Sequence, residues 1–394
     1  MGTLRDKLNP LYQQLFTAGV FDRPEVEEKR ATCNNCAMCD HGQVAPVEMD
    51  YFDPSTKCCT YFPNIANYLV GGILADPSEE LAEGKRRIRE RIAGRTGVTP
   101  HFLAAPRKYA LLYGAVRMSG AFGRSKALLC PYFDVENDGR CTVWRYREAV
   151  CSTYFCKYNN GKPGFQFWDT LKGYLSHVEH MLARYVATTI DRGLEMPAIV
   201  PNQISLEELE DRPPNASAYA QWWGKWVGRE EEFYITCYER ALAIGPQDFA
   251  AQVDDTANGR RYTAELEARY DAIGKQAVLP ANLVLAPGIR TRSGSDSVVV
   301  TTYNPYDGFS IERELYDVLW KLNPAQTLAQ NLKRLDDEED IQLAPELLQY
   351  LFTHGVLDEP KAPEDAPKPP LGPHAQALPS NRKGRRTELA KKKR

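Results

Sequence analysis

The sequence predicts a mainly α-helical protein with a small β component: a cysteine-rich, metal-wrapped N-terminal domain, a helical middle and a C-terminal winged-helix-like module. Three observations carry this. Nine of the ten cysteines fall between Cys33 and Cys156. Apolar residues recur at three- and four-residue spacing through much of the remaining chain. Around Leu283 the pattern changes to β-formers alternating about a turn, followed by three segments of helical periodicity.

A chain of 394 residues has room for two or three domains with their own cores. Its 49 Lys and Arg against 52 Asp and Glu give a net charge of -3, so no global field marks a nucleic-acid binder. The opening MGTLRDKLNPLYQQLF lacks an uninterrupted apolar h-region, and no later run approaches about 18 apolar residues. A cytoplasmic location with no membrane partner is the expectation. In a reducing cytosol clustered cysteines are metal ligands more often than disulfides. A bridge between the neighbours Cys58 and Cys59 would also be strained.

The cysteines form two groups along the chain. Cys33, Cys36 and Cys39 make a CxxCxxC run followed by the adjacent pair Cys58 and Cys59; Cys130, Cys141, Cys151 and Cys156 make the second group. Two residues between cysteines let a tight turn aim both sulfurs at one point. Thiolates are soft ligands, so all nine are candidate ligands for zinc or iron, a [4Fe–4S] cluster included, and not for calcium or magnesium. Cys237 stands alone among Ile235, Tyr238 and Leu242 and reads as a core residue.

Residues 1–30 read as an N-terminal helix with Leu8, Leu11, Tyr12, Leu15 and Phe16 at helical spacing. The decapeptide LFTAGVFDRP returns as LFTHGVLDEP, which suggests two similar helix ends with Gly19 and Gly355 in the left-handed conformation. The cysteine-cluster domain spans residues 31–200. Its Cys-, Asn-, Asp-, Gly- and Pro-rich start is loop chemistry, with metal in place of a core. A helix follows in YFPNIANYLVGGILA, then a charged one over Ser78–Ile92 with Ser78 as N-cap. Its Lys85, Arg86, Arg87, Arg89 and Arg91 read as a solvated face. Gly120, Gly123 and Arg124 form a turn without phosphate-loop spacing. CTVWRY reads as a short strand, Asn159–Gly164 as a break, and FQFWDTLKGYLSHVEHMLARYVATTIDRG as one long helix. His177 and His180 lie three apart on it, which makes them an alternative, less favoured pair of metal ligands.

The helical region 201–280 opens with a joint at Pro201–Pro214. A long helical pattern then carries Trp222, Trp223, Trp226, Phe233, Tyr234 and Leu242, weakened by Gly224 and Gly228, and two further helices follow. The module 281–358 combines a hairpin turning at Arg292–Ser297 with three helical segments. Residues 359–394 read as a disordered basic tail; a solvating end is the favoured reading, and the tail is the one place left for contact with nucleic acid.

The second cysteine group resembles the zinc- or iron-chelating cysteine-cluster family of YkgJ type. Cys130, Cys141, Trp144, Arg147 and Cys151 fall on that family's pattern of cysteines, aromatic and arginine. The first group departs from its CxxCxxCC signature: Asp40 follows Cys39, and the CC pair is displaced to Cys58 and Cys59. The resemblance covers residues 31–160 and implies metal binding without a reaction type. Residues 283–357 resemble the PqqD-like fold, which recognises leader peptides in pathways that modify ribosomally made peptides. That implies a peptide pairing with the strand Val298–Tyr303 beside the last helix, Pro345–His354. The expected function is therefore a zinc- or iron-chelating cytosolic metalloprotein that recruits a peptide or protein partner, in peptide modification. The alternatives are a non-enzymatic structural-zinc adaptor and a nucleic-acid-binding winged-helix protein. No acid–base pair or nucleophile stands out, and the CxxCxxC run lacks the CxxxCxxC spacing of radical S-adenosylmethionine enzymes. Whether the protein is an enzyme stays open.

Overall fold

The structure is a computed structural model that describes residues 2–28, 31–32, 35–39, 51–118, 121–137, 139–196, 204–275, 278–294 and 296–360. Cys33, Asp40, Gly120, Pro201 and the basic tail from 361 onward lie outside these residues. The described residues are mainly helical, with 52 % helix and 9 % strand. No helix among the described residues is long and apolar enough to cross a membrane.

Helix α1, Pro10–Leu15, starts where the Asn9 side chain accepts from the Leu11 amide and proline takes the first turn. The chain leaves α1 through an extended Phe16, so Gly19 opens a 3₁₀ turn and needs no left-handed backbone. Gly355 does take that conformation, with φ +69°. Two short antiparallel strand pairs follow, β1 (Ala31–Thr32) with β2 (Asn35–Cys36), and β3 (Ile65–Ala66) with β4 (Phe102–Leu103). Between the latter strands lie α2 (Asn67–Ala75), buried from Asn67 to Leu74, and the charged α3 (Ala82–Gly94). The basic residues of α3 are a solvated face only in part: Arg86 and Arg89 are exposed, while Lys85, Arg87 and Arg91 are half-buried. Lys85 donates to the Asp76 carbonyl, Arg86 pairs with Glu83 and Glu90, Arg87 with Glu83 and the Pro131 and Phe133 carbonyls, Arg89 with Glu231, and Arg91 with the Tyr132 hydroxyl.

Helix α4 (Arg107–Met118) was not legible in the sequence. The hairpin β5 (Phe133–Asp134) with β6 (Arg140–Cys141) leads to a 3₁₀ turn at Trp144–Tyr146, so only Cys141 of CTVWRY is in a strand. After the short α5 (Ala149–Thr153), helix α6 runs 30 residues from Gly161 to Ile190. The break before it ends at Asn160, because Pro163 and Gly164 fit inside a first helical turn whose amides need no partners. Next come α7 (Leu206–Leu209), α8 (Ala216–Trp223), α9 (Glu230–Leu242), α10 (Pro246–Phe249) and α11 (Ala257–Ala272). The expected single helix around the tryptophans is split into α8 and α9. Gly224 and Gly228, at φ +51° and +79°, turn the chain between them.

The C-terminal part begins with β7 (Val284–Leu285), paired to the last strand β11 (Leu357–Asp358). Within it β8 (Arg290–Ser293), β9 (Ser297–Thr301) and β10 (Phe309–Glu312) form an antiparallel sheet in the order β10-β9-β8. Thus FSIERELYDVLWKLN starts as a strand before α12 (Arg313–Trp320), and α13 (Leu328–Glu339) and α14 (Pro345–Thr353) follow. The sheet order corrects the expected docking strand: β9, within Val298–Tyr303, is paired on both sides and has no free edge.

Three apolar clusters hold these elements. The largest gathers α1, α2, α6, α8, α9 and α11, with Cys237 fully buried in it. A second lies within the C-terminal part, and a small third is built of cysteines and aromatics. In the first, α2 and α9 touch at backbone distance: a Cβ on Gly71 would stand 1.9 Å from the Tyr234 carbonyl oxygen. Opposite signs are therefore expected for two glycine-to-alanine changes in helices. Gly71→Ala should destabilise by about 1–3 kcal/mol through overpacking. Gly114→Ala, in α4 with nothing within 4 Å of its would-be Cβ, should gain up to ~1 kcal/mol from helix propensity. Chemical denaturation of both variants checks this; equal effects would contradict the packing.

Candidate metal centre

The segment Asp53–Cys59 is a run of turns fixed by its own residues. The Asp53 carboxylate accepts from the Ser55 amide at 2.8 Å, the Asp53 carbonyl takes the Thr56 and Lys57 amides, and Lys57 adopts φ +48°. Cys58 and Cys59 leave this turn with their thiols interacting, which lowers the Cys58 thiol and raises that of Cys59. From there the two sulfurs belong to different surroundings.

Cys58 joins Cys36, Cys39 and Cys156. These sit with Met38 and Phe52 in the small third cluster, walled by Phe122, Tyr154 and Tyr306. The Cys39 amide donates to the Cys36 carbonyl at 3.0 Å, closing a tight turn, and the Phe52 amide donates to the Met38 carbonyl at 2.7 Å. The thiols of Cys36 and Cys39 are close enough to hydrogen-bond, and the Met38 amide favours the Cys36 thiolate. Burial, then the neighbouring Cys36, pushes the Cys39 thiol up to about 12.

Cys59 joins Cys130, Cys141 and Cys151. The Cys130 amide donates to the Cys59 carbonyl at 2.7 Å, and Cys141 lies opposite Phe133 in the β5–β6 hairpin. The Cys59 and Cys151 thiols both feel Cys130 and Cys141. The Tyr132 amide donates to the Cys130 sulfur at 3.5 Å. This repeats the relation of Met38 to Cys36: in each set the amide two residues on points at a cysteine sulfur. Such N–H···S contacts favour a thiolate over a thiol.

Two buried carboxylates hold Cys151. Glu148 caps α5 by accepting the Val150 and Cys151 amides, both at 2.9 Å, and Glu179 on α6 accepts the Ala149 amide at 2.7 Å. Burial raises both carboxyls, and the charge of Glu148 raises Glu179 further. Arg147 donates to the Cys151 carbonyl at 3.0 Å and lies 3.4 Å over the Trp144 ring.

The eight described candidate cysteines are outside any disulfide; Cys36, Cys39, Cys58 and Cys156 share the small cluster, and Cys59 and Cys151 both act on Cys130 and Cys141, which makes two sets of four. Cys33 lies outside the described residues. The sets cut across the sequence grouping: Cys156 moves to the first and Cys59 to the second. Among the described residues no three His, Cys, Asp or Glu side chains already converge as a bound ion requires. Seven of the eight thiols, all but Cys151, pack in or against the apolar clusters, and burial is the leading cause that raises Cys36, Cys130, Cys151 and Cys156. A cation would have to supply the balance for four buried thiolates. One buried polar atom fits that condition: the Tyr154 hydroxyl has no oxygen or nitrogen partner and lies beside Cys156, where a thiolate would accept its proton.

His177 and His180 are not part of either set. His177 meets the Thr256 hydroxyl at 3.0 Å, and His180 meets the Ser176 carbonyl at 2.8 Å and packs on Phe102. Glu148, Glu179, Tyr154 and Lys57 were missed from sequence. Only Glu148 left a trace there, as an acid three residues before Cys151, the spacing of a helix cap. Compared with protein-family models, curated proteins and solved structures, the chain has no match in any of the three.

The turn that carries Cys156 into α6 depends on Glu28, whose carboxylate accepts the Asn159 and Asn160 amides. Burial raises this carboxyl to about 7 from its ordinary 4.5. Its contribution to stability is complete below pH 4.5 and is lost as the pH rises through 7. Relative to the wild type, Glu28→Gln should thus gain stability between pH 5 and pH 8. Denaturation of both proteins at the two pH values measures this, and a difference independent of pH would contradict it.

Proposed function

We propose that the protein is a cysteine-ligated metalloprotein with two four-thiolate centres. The first uses Cys36, Cys39, Cys58 and Cys156; the second uses Cys59, Cys130, Cys141 and Cys151. The observation that carries this reading is the four-and-four partition, with one N–H···S contact from the i+2 amide in each set. Zinc is the metal the spacing favours. Tetrahedral bonds of about 2.3 Å put ligand sulfurs ~3.8 Å apart, which suits thiols in hydrogen-bonding contact such as Cys36 and Cys39. A cubane cluster would hold its cysteines farther apart. Four thiolates close a zinc site and leave no position for a substrate, so the centres would shape the fold around residues 31–160. The resemblance to the YkgJ-type family agrees with this chemistry.

The same reading gives the C-terminal part a recruiting role, as its resemblance to the PqqD-like fold implies. The edge suited to an added peptide strand is β10, whose Phe309 packs on Tyr350 of α14 and on His354 at its C-terminal end. The opposite edge, β8, carries the exposed Arg290 and Arg292, and charge on an edge discourages added strands.

Metal analysis of protein purified without chelator tests the first part. Two zinc ions per chain are expected, falling to one in Cys39→Ser and to one in Cys141→Ser; no stoichiometric metal would refute it. For the second part, peptides selected from a displayed random library should lose at least about tenfold affinity with Tyr350→Ala and keep it with Arg290→Ala. Equal loss in both would remove the β10–α14 edge from the reading.

A further inference from the structure

We infer that the loop between β9 and β10, Thr302–Gly308, forms one wall of the first cysteine centre and couples the metal occupancy of that centre to the β10–α14 edge. This rests on the two-centre reading above and adds a regulation of the recruiting edge. Asn304 is 5 % exposed, and its side-chain amide donates to the Cys156 carbonyl at 3.0 Å while its oxygen takes the Tyr306 amide at 3.0 Å. Tyr306 then lies against Phe52 and Phe122, with ring centroids 5.3 and 5.6 Å away. Those two rings wall Cys36, Cys39 and Cys156. Asp307 accepts the Tyr158 amide at 3.0 Å, two residues beyond Cys156.

The other face of the loop touches the edge. Thr302 donates to the His354 carbonyl at 2.7 Å, and Gly308 passes directly into Phe309 on Tyr350 and His354. One short loop therefore contacts both the first centre and the strand end offered to a partner.

The link is sensitive to metal because, among the described residues, the first centre sits in a small cluster of its own, apart from the large helical core. Its cluster contains five buried residues, three of them cysteines. The turn at Cys36–Cys39 is tied by the two backbone bonds from the Cys39 and Phe52 amides. Without a cation such a cluster opens at low cost, and Phe52 and Tyr306 lose their seat. The second centre differs, since Cys130 is buried in the large helical core.

Amide exchange followed by mass spectrometry tests this on the full chain, loaded with zinc and then stripped with a chelator. Stripping should speed exchange over Phe309–Glu312 at least about tenfold, the equivalent of one buried hydrogen bond, and leave α13 unchanged. Cys141→Ser should keep the slow exchange and Cys39→Ser should lose it. Asn304→Ala should exchange fast here while still holding both ions, and it decides the matter if Cys39→Ser fails to fold, which exchange in α6 would reveal. Zinc that binds and leaves without changing exchange over residues 302–312 would overturn the coupling and spare the two-centre reading. A wild type that takes up no zinc would overturn both, and that result is read from the metal content before any exchange is followed.

Discussion

A single peptide bond, between Cys58 and Cys59, constrains the cysteine half of this protein. The turns from Asp53 to Lys57 deliver the two thiols side by side, one to each set of four. Everything that contributes a further sulfur must then approach that bond. Cys36, at the end of β2, shares a cluster with Cys58, and Cys130 bonds through its amide to the Cys59 carbonyl. Lys57 closes the junction by donating to the Gly139 carbonyl at 3.1 Å, which ties the turn to the β5–β6 hairpin.

The helical core supplies the rigid side of this arrangement. Helix α6 presents Phe167, Trp168, Leu171, Tyr174 and Val178 to the core, and on the same buried face it places Glu179 under α5. A buried carboxylate is costly unless its acceptors are used. Glu179 meets the Ala149 amide and Glu148 the next two, so three orphan amides of α5 and two buried acids satisfy one another. Cys151 is thereby fixed from the large core, whereas Cys36 and Cys39 pack in the small cluster with Phe52 and Cys156. The two sets of cysteines thus differ in their surroundings.

Much of the helical architecture was legible because it follows apolar periodicity: α2, α6, α9 and the C-terminal helices all bury the residues their spacing marks. What was not legible depends on contacts distant in sequence. Helix α4 carries exposed Leu111 and Leu112, which blur its pattern. The split between α8 and α9 turns on two glycines whose positive φ no periodicity reveals. Adjacent cysteines separate into different sets, and Cys156 sits with cysteines about a hundred residues earlier, because chain reversal between α4 and α5 decides neighbours and spacing does not. Strand order is the same kind of information: alternation marked β9 as a strand, and only pairing reveals it as central.

The central claim is that four sulfurs, and nothing else, surround each metal. X-ray absorption at the zinc edge of the zinc-loaded full chain tests it most directly. The account requires four sulfur scatterers at about 2.3 Å and no nitrogen or oxygen in the first shell. A mixed shell with histidine nitrogen or carboxylate oxygen at about 2.0–2.2 Å would contradict it, because neither His177 nor His180 reaches the cysteines and Glu148 and Glu179 are engaged with amides.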